Sequence, residues 1–235
     1  MAIGIIGAMD EEVLYFQKRM VDFESISHGK HTFYKGRWHG HETIVVKCGV
    51  GKVNAAMVSQ TLIDVYKVDK LIFTGVAGAV NPELNVGDIL ISQSCQQHDI
   101  EATALGFSRG VIPMYDGPSV FLADPTLLNI AYSAANELAK KTEKSVIKGK
   151  VVSGDQFISD PSQVTLLREM FTADCVEMEG AAVAHVADFN HIPFVIIRSI
   201  SDKADGKASG DFQAFMAEAA HTSAEIVSHM LKMKL

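Results

Sequence analysis

Three cysteines in 235 residues, Cys48, Cys95 and Cys175, are too few and odd in number for a disulfide framework. None forms a C-x-x-C pair, which removes a zinc knuckle as well, and a reducing cytoplasm suits such a chain. Basic clustering is also lacking: 21 Lys and Arg are scattered among 28 Asp and Glu for a net charge of −7, so the footprint of a nucleic-acid partner is missing. No apolar run approaches a membrane span, and the stretch from Ala2 to Met9 is too short for a signal-peptide core with a basic leader; the chain reads as soluble, unexported and free of membrane contact. No Pro-, Ser- or Gly-rich linker divides it, so residues 1–235 read as a single domain. Nine histidines offer no H-E-x-x-H or other ligand spacing, so no metal is expected, and His98-Asp99 reads as a surface or interface pair. There is no G-x-S-x-G elbow and no Cys/His arrangement to support an acyl-enzyme.

What is present is alternation. Ile3, Ile5 and Ile6 read as a buried strand, followed by a helix from about Asp10 with Val13, Phe16 and Met20 at helical spacing. H-T-F-Y-K-G-R-W and E-T-I-V-V-K-C flank His39-Gly40-His41 as a hairpin. A helix from Lys52 leads to the strand K-L-I-F-T and the glycine-rich Gly75 to Gly78; G-D-I-L-I-S, S-V-I-K-G-K-V-V-S and P-F-V-I-I-R-S are further strands. An alanine-rich helix begins near Glu179, and a last one near Asp211. The pattern predicts an α/β fold with a mixed, mostly parallel central sheet flanked by helices in three layers.

In such folds the residues just beyond the carboxyl ends of strands meet the ligand. Here those are Met9 to Glu12, Val76-Ala77-Gly78, Phe157, Glu177-Met178-Glu179 and Arg198 to Asp202, mostly acids, small residues and apolar surfaces. They suit a neutral, polyhydroxylated, partly aromatic ligand better than a polyphosphate. Alternation puts the Glu177 and Glu179 carboxylates on one side, able to accept from a sugar diol; Glu179 could instead complement the N-terminus of its helix. Asp202, at the rim of a buried strand, could be a general acid whose pKa desolvation raises, or a turn residue, with Arg198 and Lys203 pushing the other way. Asp10 to Glu12 also make a favourable first helical turn, with at most one or two facing the cleft, and Phe157 could stack on a heterocycle or belong to the core.

Taken in register, G-I-I-G-A-M-D-E-E, G-V-G-K-V-N-A-A, T-G-V-A-G, V-S-G-D-Q-F-I, V-E-M-E-G-A-A-V-A and R-S-I-S-D-K-A-D resemble the bacterial 5′-methylthioadenosine/S-adenosylhomocysteine nucleosidases. The resemblance implies a nucleoside-phosphorylase-like fold, a homodimer, no metal and no cofactor. It implies hydrolysis of the N-glycosidic bond of methylthioadenosine, S-adenosylhomocysteine and 5′-deoxyadenosine, in methionine salvage and S-adenosylmethionine recycling. By the family pattern Asp202 protonates adenine N7, Glu12 activates the water, and Glu179 binds the ribose with the Met178 backbone. Phe157 stacks on the adenine and the Ile158 backbone reads its edge. Met9, Val50, Met178 and Phe212 match the 5′-alkylthio pocket, completed by a neighbouring subunit's loop matching Ala102 to Pro113, with Leu105 and Phe107 within it. Arg198 and Ser201 match positions that support the water and the acid. Val76 stands where many relatives have the serine of T-G-S-A-G, and D-F-Q-A-F from Asp211 replaces S-F-D-E-F. Alternatives that the resemblance leaves open are 6-amino-6-deoxyfutalosine cleavage in menaquinone synthesis and phosphate-dependent phosphorolysis. A Rossmann-type nucleotide module is weaker, since the opening glycines are not spaced G-x-G-x-x-G.

Overall fold

The computed structural model describes residues 1–140, 142, 144–204 and 208–233; Asp205, which closes the R-S-I-S-D-K-A-D stretch, lies outside them. The first strand, β1 (Ala2–Gly7), is buried along its whole length. Its alternate residues feed two cores: Ala2 and Ile6 enter one, Ile3 and Ile5 the other. The same split recurs in β4 (His41–Lys47), where Ile44 and Val46 oppose Val45, and in β5 (Lys70–Ala79), where Leu71 and Phe73 oppose Ile72. Strands apolar on both faces need helices on both, and the chain supplies them. One core receives α2 (Lys52–Asp64) and α5 (Gly180–Phe189); the other receives α1 (Asp10–Gln17), α3 (Pro125–Ala139) and α6 (Ala208–Lys232).

The remaining strands are β2 (Val21–His28), β3 (His31–Trp38), β6 (Ile89–Gln97), β7 (Val120–Leu122), β8 (Val146–Ser153), β9 (Cys175–Glu177) and β10 (Phe194–Asp202), with α4 (Pro161–Phe171) between β8 and β9. The hairpin expected at His39-Gly40-His41 joins β3 to β4, with positive φ at His39 and Gly40 as a two-residue turn requires. β2 extends that meander as an exposed edge. The last helix begins three residues before the expected Asp211.

The sheet departs from the expected form in two respects. Among the described residues, parallel and antiparallel pairings are equal in number, five of each, rather than mostly parallel. It also closes on itself: β5 pairs with β10, β10 with β6, β6 with β8, β8 with β9, and β9 returns to β5. The result is a barrel-like ring with β1, β4, β3 and β2 splayed off it, not a simple layer between helices. Twist accumulates across adjacent strands, and register breaks between Ser92 and Ser94 and between Ile200 and Asp202 bend the two long strands that close the ring.

β5 is the branch point. Its residues Lys70 to Phe73 pair with β1, while Gly78 and Ala79 pair with β9 along the same edge. Between those pairings neither neighbour lies alongside, and the carboxyl ends of β1, β5, β8, β9 and β10 open around the gap.

Candidate active site

Glu12 fills that gap. It sits in the first turn of α1 and turns back toward its own helix start, accepting the Ala8 amide at 2.5 Å and the Met9 amide at 3.0 Å. Its other oxygen accepts the Val76 amide, left without a strand partner by the divergence of β1 and β9, at 3.2 Å. Glu12 is 2% exposed. Burial raises its pKa, against the pull of the Arg198 charge and the three amides. Such a group is anchored as an anion yet shifted toward neutrality, as a general base requires.

The glycines of T-G-V-A-G make room for acids, not phosphate. A Cβ on Gly75 would collide with the Glu12 carboxylate, 2.9 Å from its Cδ, and one on Gly78 would lie 2.9 Å from Asp202 Oδ1. Asp202 ends β10, is 3% exposed, and accepts the Ser201 hydroxyl and the Ala204 amide, each at 2.8 Å. Ala204 reaches it from the left-handed region, with φ of 50°.

Glu177 and Glu179 divide their work, against the expectation that both face the ligand alike. Glu177 is spent internally: Arg198 Nη2 donates to it at 2.5 Å, the Ser153 hydroxyl donates to its other oxygen, and the amides of Glu179 and Gly180 donate at 3.2 Å and 2.8 Å. It, not Glu179, complements the N-terminus of α5. Glu179 accepts from the Gly51 amide at 2.7 Å. Burial, reinforced by the neighbouring Glu177 charge, pushes its pKa up to about 8. Arg198 does not reach the ligand space, contrary to its expected place at a strand end. It is 1% exposed, with its guanidinium 4.0 Å from the Phe73 ring centroid, behind the wall.

A cavity of about 300 Å³ opens over these groups. Glu12, Val76, Ala77, Gly78, Ser201 and Asp202 line its floor; Val50, Glu177, Met178 and Glu179 form one wall. Phe157 and Ile158, on the loop after β8, form another, and Met9 and Phe212 close an apolar corner with Val76. Phe157 is 50% exposed, so it is not a core residue, and meets Phe212 edge to face with centroids 5.7 Å apart. Ala102, Leu105, Phe107 and Pro113 lie between β6 and β7 and do not line the cavity of their own chain. His98, expected at the surface or an interface, is 1% exposed. Ala8, Gln156 and Val176 also line the cavity without having been singled out, and Gly51 and Ser153 act on the acids through a backbone amide and a hydroxyl. A backbone donor leaves no mark on residue type; Ser153, a hydroxyl ending an apolar strand, was the one visible signal.

Four carboxyl groups line the cavity, and no lysine, arginine or histidine does so among the described residues. Nor do these residues include a cluster of three or more potential metal ligands. An acid-floored, aromatic-rimmed cleft beyond the strand ends suits a nucleoside better than a phosphate. The chain belongs to the phosphorylase superfamily, whose family model matches residues 2–232. Within it, the chain is 41% identical over 231 residues to the 5′-methylthioadenosine/S-adenosylhomocysteine nucleosidase of Staphylococcus carnosus, covering 98% of this chain and 99% of that one. It is 38% identical to the aminodeoxyfutalosine nucleosidase of Campylobacter jejuni, with 98% of each chain covered. The crystal structure of the Neisseria meningitidis 5′-methylthioadenosine/S-adenosylhomocysteine nucleosidase, in complex with methylthio-immucillin-A, superposes with a TM-score of 0.93 at 35% identity over 99% of both chains.

Proposed function

We propose that this protein hydrolyses the N-glycosidic bond of 5′-methylthioadenosine and S-adenosylhomocysteine, and of 5′-deoxyadenosine, releasing adenine. Asp202 gives a proton to adenine N7 as the bond breaks, turning a poor leaving group into a neutral one. Glu12 takes a proton from the water that attacks the oxocarbenium-like sugar. Glu179 accepts from the ribose hydroxyls with help from the Met178 backbone, Phe157 stacks on the adenine, and the Ile158 backbone reads its edge. The apolar corner of Met9, Val76 and Phe212 takes the 5′-thioalkyl group, with Val50 at its mouth. Arg198 and Ser201 act one step back, on Glu177 and Asp202.

The observation that carries hydrolysis over phosphorolysis is the chemistry of the cavity lining: four carboxyl groups and, among the described residues, no cation to hold a phosphate. Adenine release from methylthioadenosine, followed with and without phosphate, tests it; strict phosphate dependence would overturn hydrolysis. Asp202→Asn should lower kcat by about 10²- to 10⁴-fold while substrate still binds. Aminodeoxyfutalosine is the second reading, favoured by the 38% identity to the Campylobacter jejuni enzyme, and kcat/KM across the four nucleosides ranks the two.

The functional unit we propose is a cytoplasmic homodimer. Val53 and Met57 on α2 and Phe189 on α5 are exposed apolar side chains on packed neighbouring helices, and Leu105 is 68% exposed. In the dimer, Ala102, Leu105, Phe107 and Pro113 would reach the partner's alkylthio pocket. Sedimentation at monomer mass would refute this assembly.

A further inference from the structure

Beside the acid cluster, Lys52, Asp99 and Asp155 close a ring of hydrogen bonds for which the chemistry above has no use. Lys52 opens α2, Asp99 lies two residues beyond β6, and Asp155 two beyond β8. The Lys52 amide donates to Asp155 Oδ1 at 2.8 Å, and the Asp155 amide donates to Asp99 Oδ2 at 2.9 Å. Lys52 Nζ completes the circuit at Asp99 Oδ1, 2.5 Å away, and also donates to Gln97 Oε1 at 3.1 Å. Three segments far apart in sequence are thus tied by three bonds in which each residue is joined to both others. The Lys52 and Asp99 side chains are only 16% exposed. Burial opposes the Asp99 charge, but Lys52 and the Asp155 amide outweigh it and hold the carboxyl below the usual carboxylate range.

Each end of the ring adjoins a different wall of the cavity. Gly51, next to Lys52, gives its amide to Glu179, and a Cβ on it would lie 3.1 Å from Asp155 Oδ1. The ring therefore packs directly against the turn that makes this donation, a turn with φ of 100°. On the other side, Asp155 is followed by Phe157 and Ile158, which line the opposite wall. The loop carrying them has no strand or helix from Gly154 to Asp160, so at that end the ring, together with the Gly154 amide on the Glu177 carbonyl at 3.1 Å, ties it to the scaffold.

We propose that Lys52, Asp99 and Asp155 are positioning residues forming a clasp, which sets the spacing between the sugar-binding wall at Gly51 and Glu179 and the base-stacking wall at Phe157 and Ile158. The names of the two walls rest on the nucleosidase reading; the clasp itself does not. Its consequence is that a side chain on the sugar side governs affinity for the free base.

The test compares full-length wild type with Lys52→Met, Lys52→Arg and the doubly neutral Lys52→Met/Asp99→Asn. Amide exchange without ligand is expected to quicken about tenfold in the peptide covering residues 154–160 of Lys52→Met, with β1 protected as in wild type. Lys52→Arg should restore most of that protection. Calorimetry should then find adenine bound about fivefold more weakly by Lys52→Met, the loss of one hydrogen bond's worth of preorganisation. If Lys52→Met loses protection in β1 as well, the doubly neutral variant decides, because it leaves no unpaired buried charge. Unchanged exchange over 154–160 with β1 native, or an adenine affinity untouched by a loosened loop, overturns the clasp. A wild type that neither binds nor releases adenine sinks the nucleosidase reading instead, and the exchange result still decides the clasp.

Discussion

Adding one methyl group at Gly75 should disable the site without replacing any side chain proposed to act on substrate. Gly75 does not occupy the left-handed region, so alanine is conformationally allowed and the effect is steric. The new Cβ would stand 2.9 Å from Glu12 Cδ, where carbon atoms ordinarily rest about 3.5–4.0 Å apart, and 3.3 Å from Arg198 Nη1. Strand β5 is held on its other edge by β10, so the carboxylate must yield, by about 1 Å, a displacement that costs about 10²-fold in rate when it misplaces a reacting group. The bond from the Val76 amide, already 3.2 Å long, is lost with that retreat, and a hydrogen bond to a charged group is worth about 1.5–3 kcal/mol. Together these predict kcat/KM for methylthioadenosine lower by about 10³- to 10⁴-fold, or about 4–6 kcal/mol of transition-state stabilisation. Overpacking adds about 1–3 kcal/mol of destabilisation, visible in urea unfolding. Gly4→Ala is the control: its Cβ would meet Leu71 Cδ2 at 2.8 Å and Leu62 Cδ1 at 3.1 Å, the ends of side chains that can swing aside. If Gly75→Ala were as active as Gly4→Ala, Glu12 would not be the base, or would not be held where it has to be.

The raised pKa of Glu179, about 8 against a usual value of 4.5, means that the folded protein holds a proton which the unfolded chain releases between those values. Stability without ligand should therefore be fully present below about pH 4.5 and fall as pH rises toward 8, by at most about 1.4 kcal/mol per pH unit from this group. Glu12 is shifted the same way, so Glu179→Gln should flatten the slope of denaturation midpoints against pH without abolishing it; an unchanged slope would refute the assignment. Arg198→Met strands the Glu177 carboxylate in the interior and should cost about 3–5 kcal/mol in chemical denaturation. Adding Glu177→Gln should recover much of that, and a double variant no better than the single would show the pair to be uncoupled.

Much of this molecule is legible in its sequence, for reasons that also mark the limit. Continuous apolar runs announce strands covered on both faces, and the residues after them, Glu12, Phe157, Glu179 and Asp202, do converge on one cavity. The same runs say nothing about ring closure, because Val195 to Ile197 are equally buried whether β10 has one neighbour or two. Two helices passed unread although their starts are clearly written: Asp124-Pro125 and Asp160-Pro161 each pair a side-chain cap with proline in the first turn. Alternation places Glu177 and Glu179 on one side but cannot reveal that Arg198, 21 residues beyond Glu177, claims one and leaves the other. Periodicity records which way a residue faces; it does not record who meets it there.

Closure of the ring also dictates when the site can come into being. Ser201 and Ala77, joined across β10 and β5, are 124 residues apart in the chain, so docking the last strand carries the loop-closure cost of more than half the protein. That strand delivers both Asp202, the proposed leaving-group acid, and Arg198, the cation beneath the acids. A nascent or refolding chain that has not yet bound β10 lacks the Arg198 charge that acts on Glu12, Glu177 and Glu179. Long-range pairings of this kind form slowly, so on refolding, adenine release should return later than the helical signal.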